Sequence, residues 1–124
     1  MPKVVVIVED SETVALSLAL AVESILGVVV LIASDAAAAL NLFRRPGESI
    51  AAVVTDLNLP EVDGFELIKQ IRGLAGYASL PAIMITADER ARLTSIPSNS
   101  CPNALFRKPF STRDVCHALQ NMLE

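Results

Sequence analysis

The chain has little of what a thiolate metal centre or a disulfide framework requires. Its two cysteines, Cys101 and Cys116, lie fifteen positions apart without a Cys-x-x-Cys spacing, and His117 is its one histidine. A structural zinc site would therefore lack ligands, and we expect any metal to be held by oxygen atoms. No signal peptide is recognisable at the N-terminus, so we expect a cytoplasmic protein with both thiols free.

Basic charge is also scarce. The 124 residues carry a formal net charge of -4, with a pI near 4.9, and so provide no broad basic field for a nucleic-acid backbone. We therefore do not expect direct nucleic-acid binding. The length suits one compact unit, and no linker-like stretch divides it, which predicts a single domain over residues 1–124 with no output domain.

An apolar stretch over residues 14–33 approaches the length of a membrane span. Gly27 divides it into a segment with helical character, ending near Leu26, and a short β-branched run. This division favours a helix followed by a buried strand, so we expect no association with a membrane.

Five apolar runs alternate with segments long enough to be crossover helices, and this pattern predicts an α/β fold with a parallel sheet. The predicted strands are residues 4–8, 28–32, 52–55, 82–85 and 104–106. Capping residues and apolar periodicity predict helices at about residues 12–26, 36–44, 63–74 and 112–123. Residues 88–96 are expected to form a further short helix, followed by a stretch rich in Pro, Ser and Asn that is typical of irregular structure.

Polar residues follow four of these predicted strands. Glu9 and Asp10 follow the first strand, Asp56 the third, Thr86 the fourth and Lys108 the fifth. The carboxyl ends of parallel strands lie at one edge of a sheet, where such folds bind ligands. Carboxylates crowded there repel each other unless a cation enters, and Mg2+ prefers oxygen ligands of this kind.

Each of these residues also has a purely structural interpretation. Acids at strand ends often cap helices, a threonine often occupies a turn, and a lysine is often a solvated charge. Capping does not predict this particular set of groups at successive strand ends, so the combination favours a site in which Asp56 is a nucleophile for phosphorus.

Residues 53–67, VVTDLNLPEVDGFEL, resemble the phosphoacceptor region of response-regulator receiver domains. The pattern combines Asp56 with Pro60 and Asp63-Gly64. Glu9-Asp10 before it, and Ile85-Thr86-Ala87 and Lys108-Pro109-Phe110 after it, extend the similarity over essentially the whole chain.

The resemblance implies a flavodoxin-like (βα)5 doubly wound sheet with strand order 2-1-3-4-5, and a switch that catalyses its own phosphorylation and dephosphorylation rather than a turnover enzyme. It implies phosphorylation of Asp56 by a histidine kinase or a histidine phosphotransfer protein. For Mg2+ (or Mn2+), the ligands that it implies are Glu9, Asp10, Asp56 and the backbone carbonyl of Asn58. For phosphate, it implies contacts from Thr86, the backbone of Ala87 and Lys108, with a cis peptide before Pro109. It also implies that Asn58 and Asp88 tune dephosphorylation, towards a short-lived phosphoryl group.

The chain departs from the family at Leu105. The family usually has an aromatic residue at this position, which acts as a switch coupled to the threonine that is Thr86 here. This departure, with the poor fourth helical segment, leaves a phosphorylation-independent pseudo-receiver as an alternative. A flavin or nucleotide binder of the same fold is a further alternative, but it would need a phosphate cradle where this chain has Glu9 and Asp10.

Leu16 and Leu20 are predicted to face outward from the first helix if Val14, Leu18, Val22 and Ile25 face the sheet. Isolated exposed leucines are ordinary. Alternatively, the pair forms a docking strip for a kinase, a phosphotransfer domain or a second copy in a homodimer. Arg107 is interpreted as a solvated charge.

Overall fold

Parallel strands form one five-stranded sheet in the order β2-β1-β3-β4-β5. The structure, a computed structural model, describes residues 2–124. Fold class and strand order are those expected from the sequence. The strands are β1 Val4–Val8, β2 Val29–Ala33, β3 Ile50–Asp56, β4 Ala82–Thr86 and β5 Ala104–Arg107.

Each helix begins directly after a residue whose side chain caps it. The side chains of Ser11, Asp35, Asp63 and Ser111 each accept a hydrogen bond from the backbone N–H three residues later. Such bonds satisfy amides that have no partner within a helix. The helices are α1 Glu12–Leu26, α2 Ala36–Phe43, α3 Gly64–Arg72 and α4 Thr112–Leu123.

The sheet is covered on both faces by apolar layers. One cluster joins Leu18 and Val22 of α1 to Leu119 of α4, and the other joins Leu40 of α2 to Ile68 of α3. Strands buried on both faces need apolar residues throughout, which explains the lack of polar alternation in β1, β3 and β4. The expectation that the strand after Gly27 is buried was wrong, because β2 lies at the edge of the sheet and exposes Val29 and Ile32. The two layers leave the carboxyl edge of the sheet for polar groups.

Gly27 adopts a left-handed conformation at φ 66° and separates α1 from β2, as predicted. Leu18 and Val22 are buried, and Leu16 and Leu20 are exposed. The expectation for Ile25 was wrong, because it is exposed while Ala15 and Ala19 fill the inner face. Within residues 2–124, no helix combines the length and apolar character required to cross a membrane.

The predicted short helix at residues 88–96 is absent, and residues 87–103 form turns and irregular structure. Asp88 turns its carboxylate back onto the N–H of Arg90, which starts a local turn instead of a helix. Ser95 adopts φ 68°, and Pro97 lacks an N–H for helix continuation. The segment from β4 to β5 is therefore held by other parts of the chain.

Arg72, in the last turn of α3, is the main tie to this irregular segment. Its guanidinium donates to the carbonyls of Ser98 and Cys101 at 3.2 and 2.6 Å, and to the Asn103 Oδ1 at 3.1 Å. It also donates to the carbonyl of Leu80, which precedes β4. Burial lowers the pKa of Arg72, but a guanidinium remains charged in proteins. Arg72 thus supplies hydrogen-bond donors to carbonyls that have no helical N–H partner.

Gly64 opens α3 at a close approach of two backbones. A Cβ there would lie 2.6 Å from the Asp56 carbonyl oxygen and 2.9 Å from the Met84 methyl group. We expect Gly64→Ala to lower the free energy of unfolding by roughly 1–3 kcal/mol in urea denaturation, because a backbone carbonyl cannot move away cheaply. At Gly73 the nearest atom would be at 3.4 Å, so Gly73→Ala should be neutral or stabilising by up to about 1 kcal/mol. Equal stability of the two variants would contradict this account.

Candidate functional site

Three carboxylates meet at the carboxyl edge of the sheet. Val8 of β1 pairs with Thr55 of β3, so Glu9 and Asp10 lie beside Asp56. One oxygen from each of the three carboxylates lies within 4.8 Å of the others. Glu9 and Asp56 are only 6% and 7% exposed, whereas Asp10 is exposed. The sequence-based expectation that these acids converge therefore agrees with the geometry.

Lys108 balances the two buried members of this group. Its Nζ donates to Glu9 Oε1 at 3.1 Å and to Asp56 Oδ2 at 3.0 Å. Burial alone lowers the pKa of Lys108, but the hydrogen bonds and negative charges of Asp56 and Glu9 outweigh this, so its pKa is raised. The ammonium therefore stays charged and holds both carboxylates.

Glu9 carries the electrostatic cost of the arrangement. Burial raises its pKa, and the neighbouring Asp10 and Asp56 raise it further, whereas the Ser11 N–H and Lys108 oppose the shift. The net effect is a pKa above the usual value for a glutamate. A cation at this position would offset the electrostatic repulsion among the three adjacent acids.

The Asp56 side chain is fixed on both of its oxygens. The Asn58 N–H donates to Oδ1 at 3.1 Å, while Lys108 occupies Oδ2. Behind it, the fully buried Thr55 donates its hydroxyl to the Asp56 carbonyl at 2.9 Å. Thr55 was not predicted as a site residue, although a polar residue in an otherwise apolar strand was the available signal.

Thr86 ends β4 fully buried, and its Oγ1 accepts the Asp88 N–H at 2.9 Å. Ala87 lies between them, exposed, in the loop that follows β4. Asp88 is bonded mainly by the Arg90 N–H, which keeps its pKa below the usual value. The residues expected to contact phosphate thus lie at the ends of neighbouring strands.

Lys108 directly follows β5 and therefore lies at the same edge of the sheet. The Lys108 N–H donates to the Thr86 carbonyl at 2.8 Å, and the peptide between Lys108 and Pro109 is cis, the geometry that the resemblance implies. Leu105 packs with the layer formed by α2 and α3, and Phe106 packs with the opposite layer. Phe106 therefore does not take the place of the absent aromatic residue.

The ligand atoms available at this edge are oxygens. Carboxylate oxygens from Glu9, Asp10 and Asp56 match the preference of a hard divalent cation such as Mg2+. The same acids would repel the phosphate of a flavin or nucleotide in the absence of a cation, which disfavours that alternative.

The chain matches the family described as "Response regulator receiver domain" over residues 5–120. It is 35% identical over 94 residues to an uncharacterized 14.6 kDa protein of Leptolyngbya boryana, covering 76% of this chain and 70% of that protein. Over 76 residues it is 29% identical to a chemotaxis protein CheY homolog of Campylobacter jejuni, covering 61% of this chain and 58% of that protein.

Solved structures give the same picture. The crystal structure of a putative response regulator from Chloroflexus aurantiacus superposes with a TM-score of 0.85 at 28% identity, covering 99% of this chain and 98% of that chain. A chemotaxis response regulator, CheY4 of Vibrio cholerae, has a TM-score of 0.84 at 23% identity, covering 99% and 100% of the two chains, and supports the fold alone.

Removing one carboxylate should weaken divalent cation binding. We expect Asp10→Asn to raise the dissociation constant for Mn2+ by more than about tenfold, because it removes a charged ligand from the group. Electron paramagnetic resonance of free Mn2+ measures this directly. Asp114→Asn is the matched control, since Asp114 is exposed in the first turn of α4 and should leave the constant unchanged. Equal affinities of the two variants would contradict the assignment.

Proposed function

Because the chain belongs to the response-regulator receiver family, we propose that it is a phosphorylation switch whose acceptor is Asp56, loaded by a histidine kinase or a histidine phosphotransfer protein. The observation that carries the proposal is the placement of Asp56. Its carboxylate lies between Asp10, Glu9 and Lys108 and is oriented by the Asn58 N–H and the Lys108 ammonium.

In the proposed reaction, a carboxylate oxygen of Asp56 attacks phosphorus as the phosphorus–nitrogen bond of a phosphohistidine breaks. The leaving imidazole retains the electron pair and takes up a proton, and the product is an acyl phosphate. Lys108 already lies 3.0 Å from Asp56, so its charge is available to the transferred group. The Thr86 hydroxyl and the Ala87 N–H are the proposed neutral donors.

Mg2+ (or Mn2+), when bound, supplies positive charge that offsets the transferring phosphoryl group. The proposed ligands are Glu9, Asp10, Asp56 and the backbone carbonyl of Asn58. Lys108 positions Glu9 and Asp56 for this role, because its ammonium group contacts both buried carboxylates.

The proposed output is a change in partner binding rather than turnover of a substrate. Hydrolysis of the acyl phosphate returns Asp56 to its starting state, and Asn58 and Asp88 are the proposed residues that set the access of water. Leu16 and Leu20 remain candidates for contact with a kinase, a phosphotransfer domain or a second copy, and Leu20 is 68% exposed.

A phosphorylation-independent pseudo-receiver is the second candidate. It is favoured by Leu105, which packs into the apolar layer where an aromatic switch is usual, and by the irregular segment at residues 87–103. The complete set of acids and Lys108 favours the phosphorylation switch. The two functions differ in whether Asp56 takes up phosphate at all.

Incubation with acetyl phosphate and Mg2+ should add one phosphoryl group, detected by intact mass spectrometry. Asp56→Asn should abolish the added mass, because an amide is a poor nucleophile for phosphorus. Asp114→Asn should be modified like the unsubstituted chain, since Asp114 lies exposed in α4. An unmodified wild-type chain, tested also with a phosphorylated histidine phosphotransfer protein, would favour the pseudo-receiver.

We expect the phosphoryl group to have a lifetime at the shorter end of the family's range, because Asn58 and Asp88 are small and polar. Phosphate release after removal of the donor measures this lifetime. Replacing both residues with larger apolar ones, as in Asn58→Leu with Asp88→Leu, should lengthen it by excluding water. An adduct on the unsubstituted chain that persists as long as on the double variant would contradict the expectation.

A further inference from the structure

Strand β2 forms one edge of the sheet and has backbone groups that face away from its only neighbour, β1. The Val29 N–H donates to the Lys3 carbonyl at 2.9 Å, so the backbone groups of Val29 and of every second residue after it face β1. Those of Val30 and Ile32 therefore point outward. Within residues 2–124, no strand pairs with this outer side of β2.

The two edges of the sheet differ in their protection against a further strand. Edge strands usually carry charge, proline or a bulge, which prevent pairing with another chain. β5, at the opposite edge, ends at the charged Arg107 and is followed by Lys108 and Pro109. Residues 24–34, which include β2, contain no charged residue and no proline, and β2 pairs with β1 without a shift in register. β2 is therefore open to a further strand.

One flank of α1 lies beside this open edge. α1 packs against both α4 and β2, and Ile25 is on the α4 side, because it lines a cavity with Gln120 and Leu123. Successive residues of a helix are rotated by about 100°, so Leu16 and Leu20 lie about 180° and 140° around α1 from Ile25. Their flank is thus turned away from α4 and towards the edge formed by β2.

Exposed apolar side chains are concentrated at this edge. Five large apolar side chains are exposed within residues 2–124, and four of them, Leu16, Leu20, Val29 and Ile32, belong to β2 or to this flank of α1. Val30 is half-buried under the layer that contains α1, and Ile32 points to the same face of the sheet. These five residues are named the β2 edge surface. Apolar surface of this kind marks a site of association.

We propose that the β2 edge surface is the contact between two copies of this chain, whose β2 strands pair antiparallel about a twofold axis at Leu31. Val30 and Ile32 lie on either side of Leu31, so Val30 of each copy stands opposite Ile32 of the other. Each such pair exchanges two backbone hydrogen bonds. The same axis brings Leu16 and Leu20 of the two α1 helices together on one face of the joined sheet.

A second copy suits this surface better than a partner of different chemistry. Twofold pairing gives every outward backbone group of Val30 and Ile32 a counterpart from the same strand. Residues 13–34 carry a single charged side chain, Glu23, on a chain with a net charge of -4. The surface therefore offers little charge with which to select a basic or an acidic partner, whereas two identical apolar surfaces need none.

The contact is separate from the phosphoacceptor. β1 lies between β2 and β3, the strand that carries Asp56, and none of the carboxylates of the site belongs to the β2 edge surface. The pairing goes beyond the proposed phosphorylation and does not depend on it, so failure of either proposal leaves the other intact. A second copy in this place would cover Leu16 and Leu20 and thus compete with a kinase for them.

Analytical ultracentrifugation of the whole chain, over about 1–500 µM, tests the association. We expect a concentration-dependent dimer and no larger species, because a twofold contact is closed. Ile32→Lys places a charge in the paired edge and should raise the dissociation constant by about tenfold or more. Ile25→Lys is the matched control, since it adds the same charge at an exposed isoleucine on the opposite flank and should change the constant by less than about twofold.

Amide hydrogen exchange of the unsubstituted chain shows directly which strand pairs. The amides of Val30 and Ile32 should exchange quickly in dilute solution and slow down as the concentration rises, because pairing gives them acceptors. The amides of Val29 and Leu31 face β1 and should be protected at every concentration. This readout does not rely on a variant, and it decides the question alone if circular dichroism shows that Ile32→Lys is unfolded.

A chain that stays monomeric at the highest concentration would overturn the proposal. A dimer in which Val30 and Ile32 exchange as fast as in the monomer would also overturn it, because the two copies would then meet elsewhere. Equal effects of Ile32→Lys and Ile25→Lys, or growth into assemblies larger than a dimer, would be equally inconsistent with pairing at this edge.

Discussion

The contact of Lys108 with Glu9 and Asp56 is the interaction on which the rest of the site depends. Two carboxylates that are almost fully buried lie 3.1 and 3.0 Å from one ammonium group, and a third carboxylate, Asp10, lies beside them. A buried carboxylate needs a charged or hydrogen-bonding partner, and Lys108 is that partner for both Glu9 and Asp56. The single positive charge of Lys108 offsets only part of the negative charge of the three carboxylates, so the pocket keeps an excess of negative charge.

The fold supplies this contact through strands that are distant in sequence. Glu9 and Lys108 are 99 residues apart, and they meet because β1 and β5 belong to one parallel sheet whose polar groups follow its carboxyl edge. The apolar layers on either face, and the close approach at Gly64, fix the strands that carry the acids. The site is thus a consequence of topology and not of local sequence.

Much of this could be predicted from the sequence, because buried parallel strands and capped helices leave local patterns. Strand β1 was predicted to the residue, and the helix predicted at about residues 112–123 matches α4. The irregular structure predicted after residue 96 is confirmed, but the helix predicted at residues 88–96 is wrong. The contacts that hold the segment could not be predicted, because Arg72 lies in α3, far in sequence from the carbonyls that it binds. The contact of Arg107 with Ala91 is also tertiary, so Arg107 was interpreted as a solvated charge.

The Lys108 ammonium group occupies carboxylate oxygens for which a divalent cation would compete. On the proposed function, a bound divalent ion and Lys108 would both contact Glu9 and Asp56, so the lysine would limit metal affinity while supplying charge to the phosphoryl group. The most direct test is the Mg2+ dissociation constant of Lys108→Met, measured by isothermal titration calorimetry. The account predicts tighter binding than in the unsubstituted chain, and unchanged or weaker binding would contradict it.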